Sequence, residues 1–494
     1  MPRPANKIHD PLNWSRTWKY ITFVSQLIYV WVLVTSALSL APMFPLLAEE
    51  FNLNDQQVSL LTGLNVITLG FANLLIIPLS NFLGRRPICI VFGFLVVLTN
   101  VWQALATSYQ SLLAARACNG IVAATAETVM VQVIADMFFL HERGFWIGVY
   151  FTLFSSGAFL GPIISGNIAT YGWRSFLWLS VALSAFSTLL LVFAFPETRY
   201  YRKIEDTIAD GSRPTILYSL QESVPDLEAN NNHTQEFIGR GKPSLRQFTA
   251  ITMPEKNRLS SIVHDLITPA IVFFNPIVFW AALMLAGPAD LLLLFNLTES
   301  GLLSSPEYGW SPAAVGYSNF AFFVGGIIGA LTAGPFSDWL TYRSTLRNNG
   351  IREAEMRLPA LIPFVCIFII SHVVGAVGYE RLWPWQAIII CGFGFSGAAV
   401  TSIPTIAISY AVDSYIAISG EIMVVGTVMK NMLGFCLSYW IFDVHATAGW
   451  VSVYMVQFAV SMLPIVLAVP LFFYGKHLRR LTKDSSVHKL EKDA

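Results

Sequence analysis

The chain has 494 residues, of which 55% are hydrophobic and only 12% charged, and its mean hydropathy is +0.58. That excludes the usual balance of a soluble domain, and a formal net charge of zero singles out no charged partner, nucleic acid included. The distribution of hydrophobicity and charge along the chain is more informative than either total.

Residues 1–19 are polar and are expected to form a cytoplasmic segment with no cleavable leader, because the apolar run that follows is too long for a signal-peptide core. Six runs of about 20 or more apolar residues then follow, at about 20–46, 58–81, 88–107, 111–136, 144–167 and 175–195, each long enough to cross about 30 Å of hydrocarbon as a helix. A polar stretch, 197–268, carries no helical apolar period and reads as a cytoplasmic central loop. Six further runs follow at about 269–296, 312–337, 358–379, 384–411, 419–443 and 449–474, and 475–494 is a short polar tail. The expected architecture is an all-α integral membrane protein with twelve spans in two six-helix bundles, 20–196 and 269–474. Nearly all of the 30 basic residues lie in the N-terminal segment, the even-to-odd turns, the central stretch and the tail; the opposite turns hold only Arg174 and Arg381. By the positive-inside rule both termini are cytoplasmic. The five cysteines fall in or beside apolar runs with no paired spacing, so neither a disulfide framework nor a metal site is expected. Of the N-x-S/T sequons, those at Asn13 and Asn232 lie on the cytoplasmic side, and the one at Asn296 is at a membrane edge, where modification is not expected.

The halves carry a faint repeat. "PLSNFL" from Pro78 aligns with "PFSDWL" from Pro335, setting Asn81 against Asp338 and Arg86 against Arg343. Parallel halves of this kind are typical of rocking transporters with a substrate site between them.

The stretch "PLSNFLGRRP" resembles the loop between spans 2 and 3 of the major facilitator superfamily, with Gly84, Arg85 and Arg86 in the family's places and Asn81 where an Asp is usual. "RACNG" in span 4 resembles the family's membrane-embedded arginine, here Arg116. "GAFLGPIISG" in span 5 resembles the drug:proton antiporter motif, with Gly157, Gly161, Pro162 and Gly166 retained and Ser165 in place of a glycine. "ADMFFLHERG", "YGWRSFLW", "PETR" and "RNNGIREAEMRLP" extend the similarity to the fungal twelve-span antiporter branch. The resemblance implies a monomeric major facilitator fold that works by alternating access and is driven by an ion gradient.

On their own chemistry, Arg85 and Arg86 are either topogenic anchors or a cytoplasmic latch reaching Asp136 or Glu142 and a neighbouring helix carboxy-terminus, with Arg143 beside them. Asp338, Arg343 and Asp413 would be the matching set of the second half. Gly157, Gly161 and Ser165 share one helix face that permits close packing, and Gly325, Gly329 and Ala333 form a comparable stripe in span 8. The bland reading of both stripes is ordinary helix packing. Intramembrane ionisable groups are costly and functional by default. Arg116 and Glu127, three helical turns apart, with Asp290, Lys430 and Asn431, are therefore candidates for the substrate and proton pathway, and Tyr29 for an aromatic lining. Glu127 is the first choice as proton carrier or cation ligand; the alternative is a permanent ion pair with Lys430 or Arg116. There is no catalytic constellation, nucleotide-binding loop or cofactor motif, so an enzyme is not expected.

The functional expectation is proton-coupled export of a small amphipathic compound from a plasma or vacuolar membrane. The alternatives are proton-driven import of an organic cation, such as a polyamine, and a transporter-like nutrient sensor.

Overall fold

The computed structural model describes residues 8–200, 239–249, 259–351, 353–415 and 419–481. The Asn232 sequon, most of the central stretch and residues 482–494 of the tail lie outside the described residues.

Among the described residues, twelve long helices follow the apolar runs: α1 (Arg16–Leu38), α2 (Asp55–Leu83), α3 (Arg85–Leu105), α4 (Tyr109–Met137), α5 (Leu140–Ile168), α6 (Trp173–Ala194), α7 (Pro276–Leu303), α8 (Pro312–Arg347), α9 (Leu361–Glu380), α10 (Trp385–Ser414), α11 (419–448) and α12 (450–481). The last two run on from one another and are parted only by Gly449, whose φ of 77° no helix accommodates. Helix is the form that satisfies each peptide group within its own segment, which hydrocarbon demands. The starts are set by polar caps: Asn54 Oδ1 accepts from Gln57 N at 2.8 Å, and Asn275 Oδ1 from Ile277 N at 3.0 Å with Pro276 at the first helical position.

Several expected boundaries shift; the eighth span, for one, runs to Arg347 rather than 337, and the first ends at Leu38 rather than 46. The seventh span starts at Pro276 rather than near 269, because a separate helix, Leu259–Phe273, ends before the Asn275 cap. It also runs on to Leu303, which draws Asn296 and Glu299 into the packed interior. The twelfth helix continues to Leu481, through the first residues assigned to the tail. Part of the central stretch is also built onto the body. Gly241 pairs with Trp14, Gln247 N–H donors reach the carbonyls of His9 and Glu197, and Phe248 packs on Trp18.

Because the turn at Gly84 reverses the chain, α2 and α5 each run between the end of the molecule that carries Arg85 and Arg357, here the basic end, and the opposite end. α2 packs along α11, and α5 lies between α1 and α8. A Cβ on Gly316 would come within 2.7 Å of the Pro162 carbonyl, and one on Gly166 within 2.5 Å of the Pro312 carbonyl, so backbone approaches backbone there. Gly157 and Gly161 face α1 instead, through Trp31 and Ser39. The span 8 stripe does not meet them: Gly325 and Gly329 lie against Gly394 and Ala398 of α10, because a fourfold spacing holds one helix face and α8 turns its Gly316 and Gly326 toward α5. Residues Ile388–Gly394 of α10 form a π-helical segment whose Gly392 carbonyl accepts from Ser371 Oγ at 2.7 Å.

Candidate functional site

Four helices converge at mid-depth. From α4, Glu127 presents its carboxylate to Lys430 of α11, with Nζ 2.8 Å from Oε1. The other oxygen accepts from Asn73 of α2 at 2.9 Å and Asn431 of α11 at 3.2 Å. The side chain of Glu127 is 7% exposed and that of Lys430 22%, so the ammonium is the partner that reaches open space; the ring of Phe154 lies 5.8 Å from it. The pair bridges the two halves of the chain. Asn73 is fully buried and its Oδ1 has no hydrogen-bond partner, which leaves one acceptor vacant beside the carboxylate.

Asp290 of α7 belongs to the same region. It is buried, its Oδ1 would be 3.5 Å from a Cβ on Gly434, one turn beyond Lys430, and Lys430 is near enough to act on its charge. Tyr29 reaches the site indirectly: its hydroxyl shares a 2.9 Å hydrogen bond with Thr125 Oγ1, two residues before Glu127. Tyr150 donates to the carbonyls of Ala126 and Glu127 at 3.0 and 3.2 Å and so fixes the α4 backbone, which is interrupted at Ala124.

Arg116 lies elsewhere. It is fully buried and donates to the carbonyls of Leu61 (3.1 Å), Ser36 (3.3 Å) and Ala37 (2.5 Å) and to Gln103 Oε1 (3.4 Å). These acceptors sit at the end of α1 and on α2 and α3, so the guanidinium ties helices together and takes no part in the Glu127 cluster. The interruption at Ala124 ends the simple three-turn count that would have set both residues on one face.

At the basic end the two halves differ. In the first, Gly84 (φ 108°) turns the chain from α2 straight into α3, and Arg85 Nε lies 3.0 Å from Asp136 Oδ2. Arg86 donates to the carbonyls of Leu191, Val192 and Phe195, the carboxy-terminal turn of α6. Glu197, just beyond, accepts from the backbone N–H of Arg85 and of Arg86, both at 3.1 Å, at the amino-terminus of α3. Arg143 closes the end of α4 through the carbonyls of Phe138 and Ala135. Glu142 is not the partner of either arginine. Asn81 is not without a partner.

The second half replaces the expected arginine. Arg357, from the turn before α9, lies 2.9 Å from both Asp338 and Asp413, whereas Arg343 lies over the Trp339 ring, 5.4 Å from its centroid. The reason is local. Thr341 stands where Gly84 would align, α8 stays helical for another turn and a half, and Arg343, five residues beyond Asp338, is carried to another face.

Hydrogen bonds between the halves gather at the end opposite the basic one. Gln56 Nε2 donates to the Tyr439 carbonyl at 3.0 Å and to Asp443 at 3.1 Å, Ser59 Oγ to the Ser438 carbonyl at 2.7 Å, and Tyr317 OH to Asn167 Oδ1 at 2.6 Å. The halves are thus joined at that end and at the Glu127 cluster.

The sequence pattern of the Major Facilitator Superfamily matches residues 27–429. The chain belongs to that superfamily. It is 28% identical to an MFS-type transporter of Schizosaccharomyces pombe, over 97% of this chain and 88% of that protein, and 26% identical to Protein HOL1 of Saccharomyces cerevisiae, over 98% and 90%. Among solved structures, the proton:xylose symporter XylE aligns over 93% of this chain and 97% of its own with a TM-score of 0.61 at 14% identity. The chain is therefore a multi-pass membrane transporter of the major facilitator fold and not an enzyme. Three residues of this transporter carry contacts that sequence reasoning passed over. Asn73 and Glu197 have no charge pattern to mark them, though Glu197 lies in the quoted "PETR". Arg357 lies in the stretch "RNNGIREAEMRLP", a polar turn just ahead of a span, where no pattern marks its partners.

Proposed function

We propose that this transporter exports a small amphipathic organic compound in exchange for protons by alternating access, with Glu127 as the proton carrier and Lys430 as its counter-charge. The observation that carries the reading is the ion pair between Glu127 and Lys430, which joins the two halves at mid-depth. Protonation of Glu127 would cancel its charge and release Lys430. The vacant Oδ1 of Asn73 offers an acceptor for the new O–H after a turn of its amide. In this reading the basic end faces the cytoplasm, supported by the distribution of basic residues, and the hydrogen bonds that join the halves lie toward the other side and at the Glu127 cluster. The membrane is the plasma membrane, and the polar segments flanking the two bundles are cytoplasmic.

Import of an organic cation is the second reading. It is favoured by the two carboxylates, Glu127 and Asp290, that share one lysine.

The test is retention of a panel of fluorescent amphipathic compounds in yeast stripped of its own exporters, with and without a protonophore. Expression should lower retention of at least one compound severalfold, and the protonophore or Glu127→Gln should restore it. Unchanged retention of every compound, together with a rise in uptake of labelled spermidine, would replace export by the second reading.

A further inference from the structure

The Glu127 cluster leaves one intramembrane carboxyl unused. Glu299 lies one turn before the end of α7, with no solvent exposure. Its two oxygens share a single donor, Nδ2 of Asn319 in α8, at 3.0 and 3.2 Å. No Lys, Arg or His among the described residues acts on it. The titratable group facing it is Tyr379 of α9, with Tyr454 of α12 edge-on to it at 5.5 Å between ring centroids; α8 contributes the Asn319 amide and no titratable group. Around them Phe295, Phe322 and Phe393 close an aromatic nest. An ionised carboxylate in such a place would be a desolvated charge without a countercharge, the most costly arrangement a membrane interior can hold.

We infer that Glu299 is a second proton-binding site, held as the neutral acid in this conformation and opened to exchange by the end of the molecule at which the halves are joined. The link to that end is Asn319. It sits on the first turns of α8, next to Gly316, which packs on Pro162 of α5, and Tyr317, which donates to Asn167. Parting the halves there strips α5 from the same turns of α8 that hold the carboxyl, and admits water to them. Coupling to the gate rests on the alternating-access cycle proposed above; the bound proton does not.

Two infrared measurements on the full-length protein in lipid nanodiscs test this. At pH about 7, where an exposed glutamate with an ordinary pKa of about 4.3 is ionised, the wild type should show the C=O stretch of a protonated carboxylic acid that Glu299→Gln loses. If Glu299→Gln does not fold, Asn319→Ala keeps the carboxyl and removes its donor, and the same band should shift. No band lost, or an unshifted one, overturns the site. Tyr317→Phe, which removes the bond between the halves nearest Asn319, should lower the proton affinity of that carboxyl about tenfold, so that the proton leaves at a pH about one unit lower. A titration identical to wild type overturns the coupling to the gate while leaving the proton site to the first measurement.

Discussion

The turns after α2 and after α8 begin from nearly the same six residues and end in different latches. In the first half Gly84 adopts a left-handed backbone that lets α3 start at once, so that Arg85 and Arg86 meet Asp136, the end of α6 and, through their N–H groups, Glu197. In the second half helix continues past Thr341, the aligned arginine points away, and Arg357 arrives from the far side of the turn to span Asp338 and Asp413. A carboxylate bound to an arginine recurs in both; the residue that supplies the arginine does not. What is common to the two halves is the electrostatic arrangement at a helix end, and one glycine decides which side chain can deliver it. Burial differs as well, since Asp338 is 67% exposed whereas Arg86 is enclosed.

That contrast predicts unequal costs. Arg86→Ala leaves three carbonyls at the end of α6 without their donor in a buried setting, and should destabilise the protein by about 3 kcal/mol or more; thermal unfolding of the purified protein, or failure to accumulate at all, reads this out. Gly84→Ala comes next. A Cβ there would collide with the Glu197 carboxylate on a backbone that disfavours any side chain, and a loss of about 2 kcal/mol is expected. If both variants melt like wild type, the first latch has no structural weight. Arg357→Gln should cost only about 1 kcal/mol, because its partners are partly solvated, and Arg343→Gln less than about 0.5 kcal/mol. The reverse order would restore the aligned arginine as the latch.

The smallest effect concerns pH. Lys476 donates to Glu353, just before the Arg357 turn, and holds that carboxyl below the ordinary glutamate range. A lowered folded-state pKa stabilises above the unfolded value of about 4.3 and ceases to do so as pH falls through the folded one. Wild type should therefore exceed Lys476→Gln by no more than about 0.5 kcal/mol at neutral pH, and the gap should close in acid. A gap that widened on acidification would show that the pair does not hold.

The twelve helices could be read from the sequence because a hydrocarbon-spanning run is long and its flanks are charged. The Glu127 and Lys430 candidates were legible for the same reason, as charges stand out in apolar surroundings. Arg116 was equally visible, but visibility did not distinguish a charge satisfied by four oxygen acceptors from one that faces another charge. Asn73, an uncharged amide, gave no such signal. Glu299 was lost to a boundary: "NLTESG" reads as a turn, and only the packed continuation of α7 to Leu303 brings the carboxyl inside. Arg357 was hidden because alignment by repeat assumes equal backbones, and a single glycine breaks that assumption.

The Glu127–Lys430 pair has an electrical consequence. It sets a positive and a negative charge side by side, one on each half, at mid-depth. A motion that parts the halves there pulls this dipole open within the transmembrane field, where a full elementary charge moved across 100 mV exchanges about 2.3 kcal/mol. The component of that motion along the membrane normal, by which the two charges come to different depths, ties the conformational equilibrium to voltage, and transport in liposomes should then respond to an imposed potassium diffusion potential. Indifference to the potential would mean that the two charges travel together.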